Sequence, residues 1–190
     1  SKVRHHDYSR PYSGMVEYLD GMDSALFFAP RSEVPAQTVL AALGPRMLEL
    51  AATRTAGAHP YFVPPEHTAV AREVMGPDPL LAVEQMVVLE TDPATARAVA
   101  RKNMAIYMRL PNYLNNLRRL GWAEEDLEGE GSDRLVDAIV AWGSMDDVLA
   151  RVQAHLDAGA DHVCIQALGD DLTAVPVQDW RDLSAALGLS

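Results

Sequence analysis

A parallel α/β fold is what this sequence predicts, on three observations. Four short apolar runs, at 38–43, 58–63, 80–90 and 161–168, are separated by stretches of helical periodicity. The runs are nearly continuous rather than alternating, as in strands covered on both faces. With 190 residues, 48% hydrophobic and 23% charged, the chain is long and apolar enough for one domain with a sizeable core. A closed (β/α)8 barrel needs eight strands in ~250 residues. Four strands also suit a small open doubly wound sheet, so the count alone leaves both architectures open.

Ser1–Arg10 is polar. His5, His6 and Asp7 stand together there, but no further ligand follows at a useful spacing, so no metal is expected. Pro11 starts a helix with Met15, Val16, Tyr18, Leu19 and Met22 on its apolar face. A loop with two prolines completes residues 1–35.

The segment Thr38–Val63 reads as one strand–helix–strand unit. Its helix begins at the abrupt Gly44-Pro45 turn and turns Met47, Leu50, Ala51 and Ala52 inward. Gly57 is expected to end it as a left-handed cap. Pro64-Pro65 closes the second strand, and a helix over 66–75 leads to the longest strand candidate, 80–90.

Thr91-Asp92-Pro93 is a helix start, with Asp92 as cap and Pro93 in the first turn. The helix runs to about Met108, with Ala98, Ala105 and Met108 inward and Arg97, Arg101 and Lys102 outward. A helix over 112–120 closes on Gly121, and the acidic stretch 122–131 reads as a surface loop. Ser132 or Asp133 caps a helix ended by Gly143. Ser144 and Asp147 form a capping box for the next, ended by Gly159. After the strand at 161–168, a last helix spans 176–187.

The Gly44-Pro45 turn has the chemistry of an anion site. Gly44 permits close backbone approach, and Pro45 occupies the first helical position, where an N–H is not needed. The N–H groups of Arg46 and Met47 would point out of the helix N-terminus, where a phosphate is stabilised by unpaired donors and the helix dipole. His59 and Tyr61 share one face of their strand. Gln85 and Gln166 are polar side chains in buried strands and need partners.

A net charge of −11 disfavours nucleic acid and anionic membranes as partners. No apolar run reaches the ~18 residues needed to span a bilayer, and no signal-peptide pattern is present. The single cysteine, Cys164, permits no internal disulfide, fits a reducing cytoplasm and reads as packing. The zinc-protease, nucleophile-elbow, P-loop and dinucleotide fingerprints are missing.

Several stretches resemble the luciferase-like flavin and deazaflavin oxidoreductases, which are TIM barrels. Ala41–Ala51 is similar to that family's strand-five loop and following helix, and Gly57-Ala58-His59-Pro60-Tyr61 to its strand-six signature. Pro65-Glu66-His67-Thr68, Thr91-Asp92-Pro93 with Ala96-Arg97, and Gly159–Val163 follow in the family's order. The likeness is greatest to the subgroup using the deazaflavin coenzyme F420. It implies a partial (β/α)8 barrel: residues 1–35 precede strand five, 36–190 supply strands five to eight, and the N-terminal half is missing. The start at Ser1 rather than Met agrees with a piece of something longer.

The resemblance further implies hydride transfer or oxygen activation (a monooxygenase reaction) at an F420 ring, with FMN as the alternative cofactor. It implies a small-molecule substrate and a homodimer of the complete protein. The cofactor phosphate would rest on Leu43, Gly44, Pro45, Arg46 and Met47, with Gly44, Arg46 and Met47 donating N–H groups. Active sites lie at the C-terminal ends of barrel strands, which favours Tyr61 as a pocket residue over His59, earlier in its strand, and brings in Gln166. No catalytic acid or base stands out, and the piece alone is expected to be inactive. Two other readings stay open: a non-catalytic half-barrel that pairs with itself or another chain, and a sugar-phosphate enzyme sharing only the anion site.

Overall fold

The computed structural model describes residues 9–26, 28, 33–34 and 36–189. His5, His6 and Asp7 lie outside them.

Proline opens helix after helix, because its fixed φ suits the first turn and its missing N–H is one the turn does not use. Helix α1 (Pro11–Ser24) leads to strand β1 (Val39–Leu40), helix α2 (Pro45–Arg54), strand β2 (Gly57–Ala58), helix α3 (Pro65–Met75) and the long strand β3 (Leu80–Val88). Helix α4 (Pro93–Met104) is capped by Asp92, which accepts from the Thr95 N–H. A 3₁₀ turn (Tyr107–Arg109) and helix α5 (Pro111–Arg119) follow, then the short helix α6 (Glu124–Leu127) and helix α7 (Asp133–Ile139). Strand β4 (Val140–Trp142), helix α8 (Met145–Asp157), strand β5 (His162–Ala167) and helix α9 (Val177–Ala186) complete the chain. The capping box of Ser144 and Asp147 opens α8.

Every strand pair is parallel. Peptide groups of successive residues point to opposite edges of β3, and that settles the order. Leu80 donates to the Ala56 carbonyl, Glu84 to Pro60, and Gly143 to Val88, so β2 and β4 share one edge. Asp161 donates to Leu81 and Leu168 to Val87, so β5 holds the other edge. β1 lies outside β2. The result is an open parallel sheet of five strands among the described residues, compatible with part of a TIM barrel.

The two faces differ. Leu40, Ala58, Leu81 and Val83 pack with Leu48, Ala51, Ala71 and Met75 of the flanking helices, and Val87 packs with Val148 and Leu183. On the other face, Met86 and Val88 join Phe62, Met104, Leu117, Leu135 and Leu168 under α4, α5 and α7. The same inner face carries His59, Tyr61, Glu84, Cys164 and Gln166, with Glu84 level with Cys164 and Met86 with Gln166.

Tertiary contacts overrule several local expectations. Gly57 is no left-handed cap. It lies within β2, where a Cβ would stand 1.9 Å from the Leu80 carbonyl oxygen, so the two backbones can meet only at a glycine. The helix expected to run on to Gly143 stops at Ile139, because Val140–Trp142 pairs with the end of β3. The ladders of β1 and β2 are shorter than their apolar runs.

Helix α4 ends at Met104 and turns Ala96, Val99, Ala100 and Met104 inward, leaving Ala98 exposed. The stretch 122–131 is no simple surface loop: it contains α6, whose Asp126 is buried and held by Ser132 and Arg134.

Candidate functional site

The C-terminal ends of β1, β2, β3 and β5 form one rim, the side on which parallel α/β folds place their ligands. At β1 the rim is the Gly44-Pro45 turn. The Gly44 carbonyl accepts from the N–H groups of Met47 and Leu48, 3.0 Å each. Met47 is therefore engaged, and the donors left without a hydrogen bond among the described residues are Gly44 and Arg46. Leu43 is half-buried, and its carbonyl accepts from His67 Nε2 at 2.9 Å. Pro45 and Arg46 are exposed. The Arg46 guanidinium lies 4.2 Å from the Tyr12 ring centroid and holds no carboxylate among the described residues.

At β2 and β5 the rim turns polar. Tyr61 donates its hydroxyl hydrogen to Gln166 Oε1 and accepts one from the Tyr107 hydroxyl at 3.2 Å. Burial holds the Tyr61 hydroxyl far above the usual phenol range, with the Tyr107 hydrogen bond adding to it. This side chain stays neutral and donates. His59 gives its Nδ1 proton to the Ala82 carbonyl at 2.7 Å, which leaves Nε2 as an acceptor. Among the five turn residues and these three, the fold joins Tyr61 directly to Gln166, with His59 edge-on at 6.3 Å from the Tyr61 ring.

Behind Tyr61 stands Glu84, a residue that the sequence reading passed over. It is 4% exposed; Oε2 accepts from the Phe62 N–H at 3.1 Å, and Oε1 has no partner among the described residues. Burial pushes its carboxyl up to about 7, against the pull of the Phe62 N–H. Phe62 itself sits at φ 59°, a costly conformation for a residue with a Cβ. Its bond to Glu84 and its stacking on Tyr107, ring centroids 4.9 Å apart, hold it there. Cys164, level with Glu84, has its thiol pushed up first by burial and then by that carboxylate. A thiolate at this position is disfavoured.

Gln85, flagged alongside Gln166, has a different role. Its amide donates to the Met86 and Ile139 carbonyls at 2.7 and 2.9 Å, and its Oε1 accepts from His155 Nε2 at 2.9 Å. His155 Nδ1 then accepts from the Thr68 hydroxyl at 2.8 Å. Every polar atom of that chain is used, so it ties β3 to α3, α7 and α8.

No group of three or more His, Cys, Asp or Glu among the described residues is placed to hold a metal ion. No helix among them is long and apolar enough to cross a membrane.

No protein-family model matches the sequence, and no curated protein matches it. Solved structures do match. A coenzyme F420-dependent tetrahydromethanopterin reductase from Methanopyrus kandleri is 18% identical with a TM-score of 0.56, over 69% of this chain and 44% of that one. An F420-dependent secondary alcohol dehydrogenase, solved with an F420–acetone adduct, is 10% identical with a TM-score of 0.62, over 87% and 59%. The apo form of MsnO8 is 19% identical with a TM-score of 0.57, over 98% and 62%. The chain thus spans less than two thirds of each of these proteins, and over that span it has the fold of the F420-dependent enzymes it matches.

Proposed function

We propose that this chain is the cofactor-gripping part of a luciferase-like oxidoreductase that uses coenzyme F420, corresponding to strands five to eight of the barrel. The observation that carries the reading is the rim. The unused N–H groups of Gly44 and Arg46, at the start of a ten-residue helix, stand on the same rim as Tyr61 and Gln166, with Glu84 deeper, in the middle of β3. A phosphate suits the first set, and the flat polar edge of a ring suits the second. The fold shared with two F420-dependent enzymes supports F420 ahead of FMN.

When bound, the deazaflavin supplies or accepts the hydride. The protein's part is to hold and exclude. Gly44 and Arg46 would hold the phosphate by backbone N–H groups, and Leu43, Pro45 and Met47 would shape the turn. Tyr61 is held in one orientation by Gln166 and Tyr107, which makes it a fixed neutral neighbour for a small-molecule substrate or for the ring. Glu84 keeps a shareable proton near neutral pH on a carboxyl with one unused oxygen. The sheet is open at β1 and β5, so further strand–helix units would be required to enclose the ring, and turnover is not expected without them.

A fluorescence titration tests the reading. F420 should be quenched saturably by the protein, and FMN should compete more weakly. Absence of saturation, or tighter binding of a sugar phosphate than of F420, would overturn it.

A further inference from the structure

Beside the Gly44-Pro45 turn lies a cavity of about 240 Å³ between α2, α3 and α5. Most of its wall is apolar, from Leu43, Pro45, Leu48 and Val70, but three polar residues also line it: His67, Asn116 and Arg119. His67 and Asn116 are 1% and 3% exposed, and each has a buried polar atom without a partner among the described residues, His67 Nδ1 and Asn116 Nδ2. Buried polar atoms rarely go unmatched, because leaving one unpaired costs ~1–3 kcal/mol.

The two orphans are of opposite kinds. Leu43 O can only accept, so His67 Nε2 carries the proton and Nδ1 offers a lone pair. Burial and the nearby Arg119 both lower the basicity of this ring, which agrees with the neutral form. Asn116 Oδ1 accepts from Arg119 at 3.2 Å, which identifies Nδ2 as a donor. A lone pair and a donor on two residues that line one cavity are the complement of a hydroxyl, which gives one hydrogen bond and takes another.

The third group adds charge. A Cβ placed on Gly44 would stand 3.4 Å from the Arg119 guanidinium, so this cation lies against the turn, steered by Asn116. Arg119 holds no carboxylate among the described residues, in a chain of net charge −11. The unused N–H groups of Gly44 and Arg46 lie on the same turn.

We propose that Arg119, Asn116 and His67 complete a site for a phosphorylated polyol, its phosphate on the turn and under Arg119, and a hydroxyl between Asn116 and His67. Arg119 is the anion clamp, and Asn116 both positions it and reads the hydroxyl. The assignment deepens the cofactor reading, since F420 and FMN each carry phosphate on a polyol chain. It stands on contacts within the described chain and needs no further strands.

Calorimetric titration of the 190-residue chain with glycerol 3-phosphate, inorganic phosphate and glycerol tests it. Glycerol 3-phosphate should bind several-fold more tightly than inorganic phosphate, and glycerol should not bind measurably. Arg119→Ala, at an exposed position, should weaken both anions roughly tenfold, and Arg119→Lys should restore part of the loss. Asn116→Ser, with folding checked by circular dichroism, should reduce the preference for glycerol 3-phosphate. Equal affinities for the two anions, or affinities unmoved by Arg119→Ala, would overturn the site and leave the cavity to water. F420 quenching that survives Arg119→Ala unchanged sinks this assignment but not the cofactor reading. Glycerol 3-phosphate bound without F420 does the reverse.

Discussion

Glu84 and Gln85 are neighbours in β3, both polar and both buried, and their surroundings differ completely. Gln85 faces the helices and uses every polar atom, with Met86, Ile139 and His155 as partners. Glu84 faces the inner side of the sheet, takes one backbone hydrogen bond, and leaves Oε1 unmatched. One residue of strand pleat separates a structural tie from a group held in an unsatisfied, shifted state. Perturbed and under-satisfied groups gather where a ligand is to be met, and satisfied ones hold elements together. On that ground the inner face is the side we propose for a ligand, and the Gln85 network is a tie between β3 and its helices.

The largest effect should come from breaking the tie. Gln85→Leu leaves the His155 N–H and the Ile139 carbonyl without partners in a closed interior. A loss of about 3 kcal/mol is expected, read as a lower urea midpoint with an unchanged slope.

Glu84→Gln should act in the opposite direction. The folded carboxyl is raised to about 7 from 4.5, so the native state binds the extra proton between those values. Its contribution to stability falls as pH rises from 4.5 through 7, by on the order of 3 kcal/mol. The glutamine keeps an acceptor for the Phe62 N–H and cannot ionise, so the variant should be more stable than the parent at pH 8. A variant less stable at pH 8 would show that the carboxylate is compensated.

A third experiment sharpens the contrast. His155 is lowered to about 4, chiefly by burial, so its contribution is lost as pH falls from 6.5 through 4, and His67 is lowered in the same sense. Between pH 4.5 and 6.5 the Glu84 slope opposes those of the two histidines, so the parent should gain stability only gently across that window. Glu84→Gln removes the opposing slope and should steepen the rise.

Rim substitutions should have the smallest effects on the fold. Tyr61→Phe removes the hydroxyl bonded to Gln166 and Tyr107, for about 1 kcal/mol of stability. Arg46→Ala should leave the urea midpoint unmoved but weaken F420 binding, with a reduced salt dependence. An unchanged dissociation constant would remove the Arg46 guanidinium from the site and leave only its backbone N–H there.

Much of the helical layer was legible because its signals are local. Pro45, Pro65 and Pro93 mark first turns, and Asp92, Ser132 and Ser144 accept from N–H groups three residues on. β3 was legible from its length alone. β4 was not, since Val140–Trp142 continues a helical pattern without a turn and becomes a strand only by meeting β3.

At the site, the turn and Tyr61 could be singled out from sequence, and the unused donors of the turn could be narrowed to Gly44 and Arg46 only in three dimensions. Glu84 carried the same signal as Gln85, a polar residue in an apolar run. Nothing local says which of the two finds partners. Arg119 and Asn116 were out of reach, since β2, β3 and three helices separate them from Gly44 in sequence.

By itself, then, the sequence determined where helices start, which runs can become strands, and that a Gly44-Pro45 turn opens a helix after β1, because each of these depends on atoms within a few residues. The tertiary structure alone decided the order of the sheet, the glycine contact of Gly57 with Leu80, the satisfaction of Gln85 and the unmatched oxygen of the buried Glu84. Those depend on which distant backbone or side chain arrives within about 3 Å, the reach of a hydrogen bond, and no local pattern encodes that.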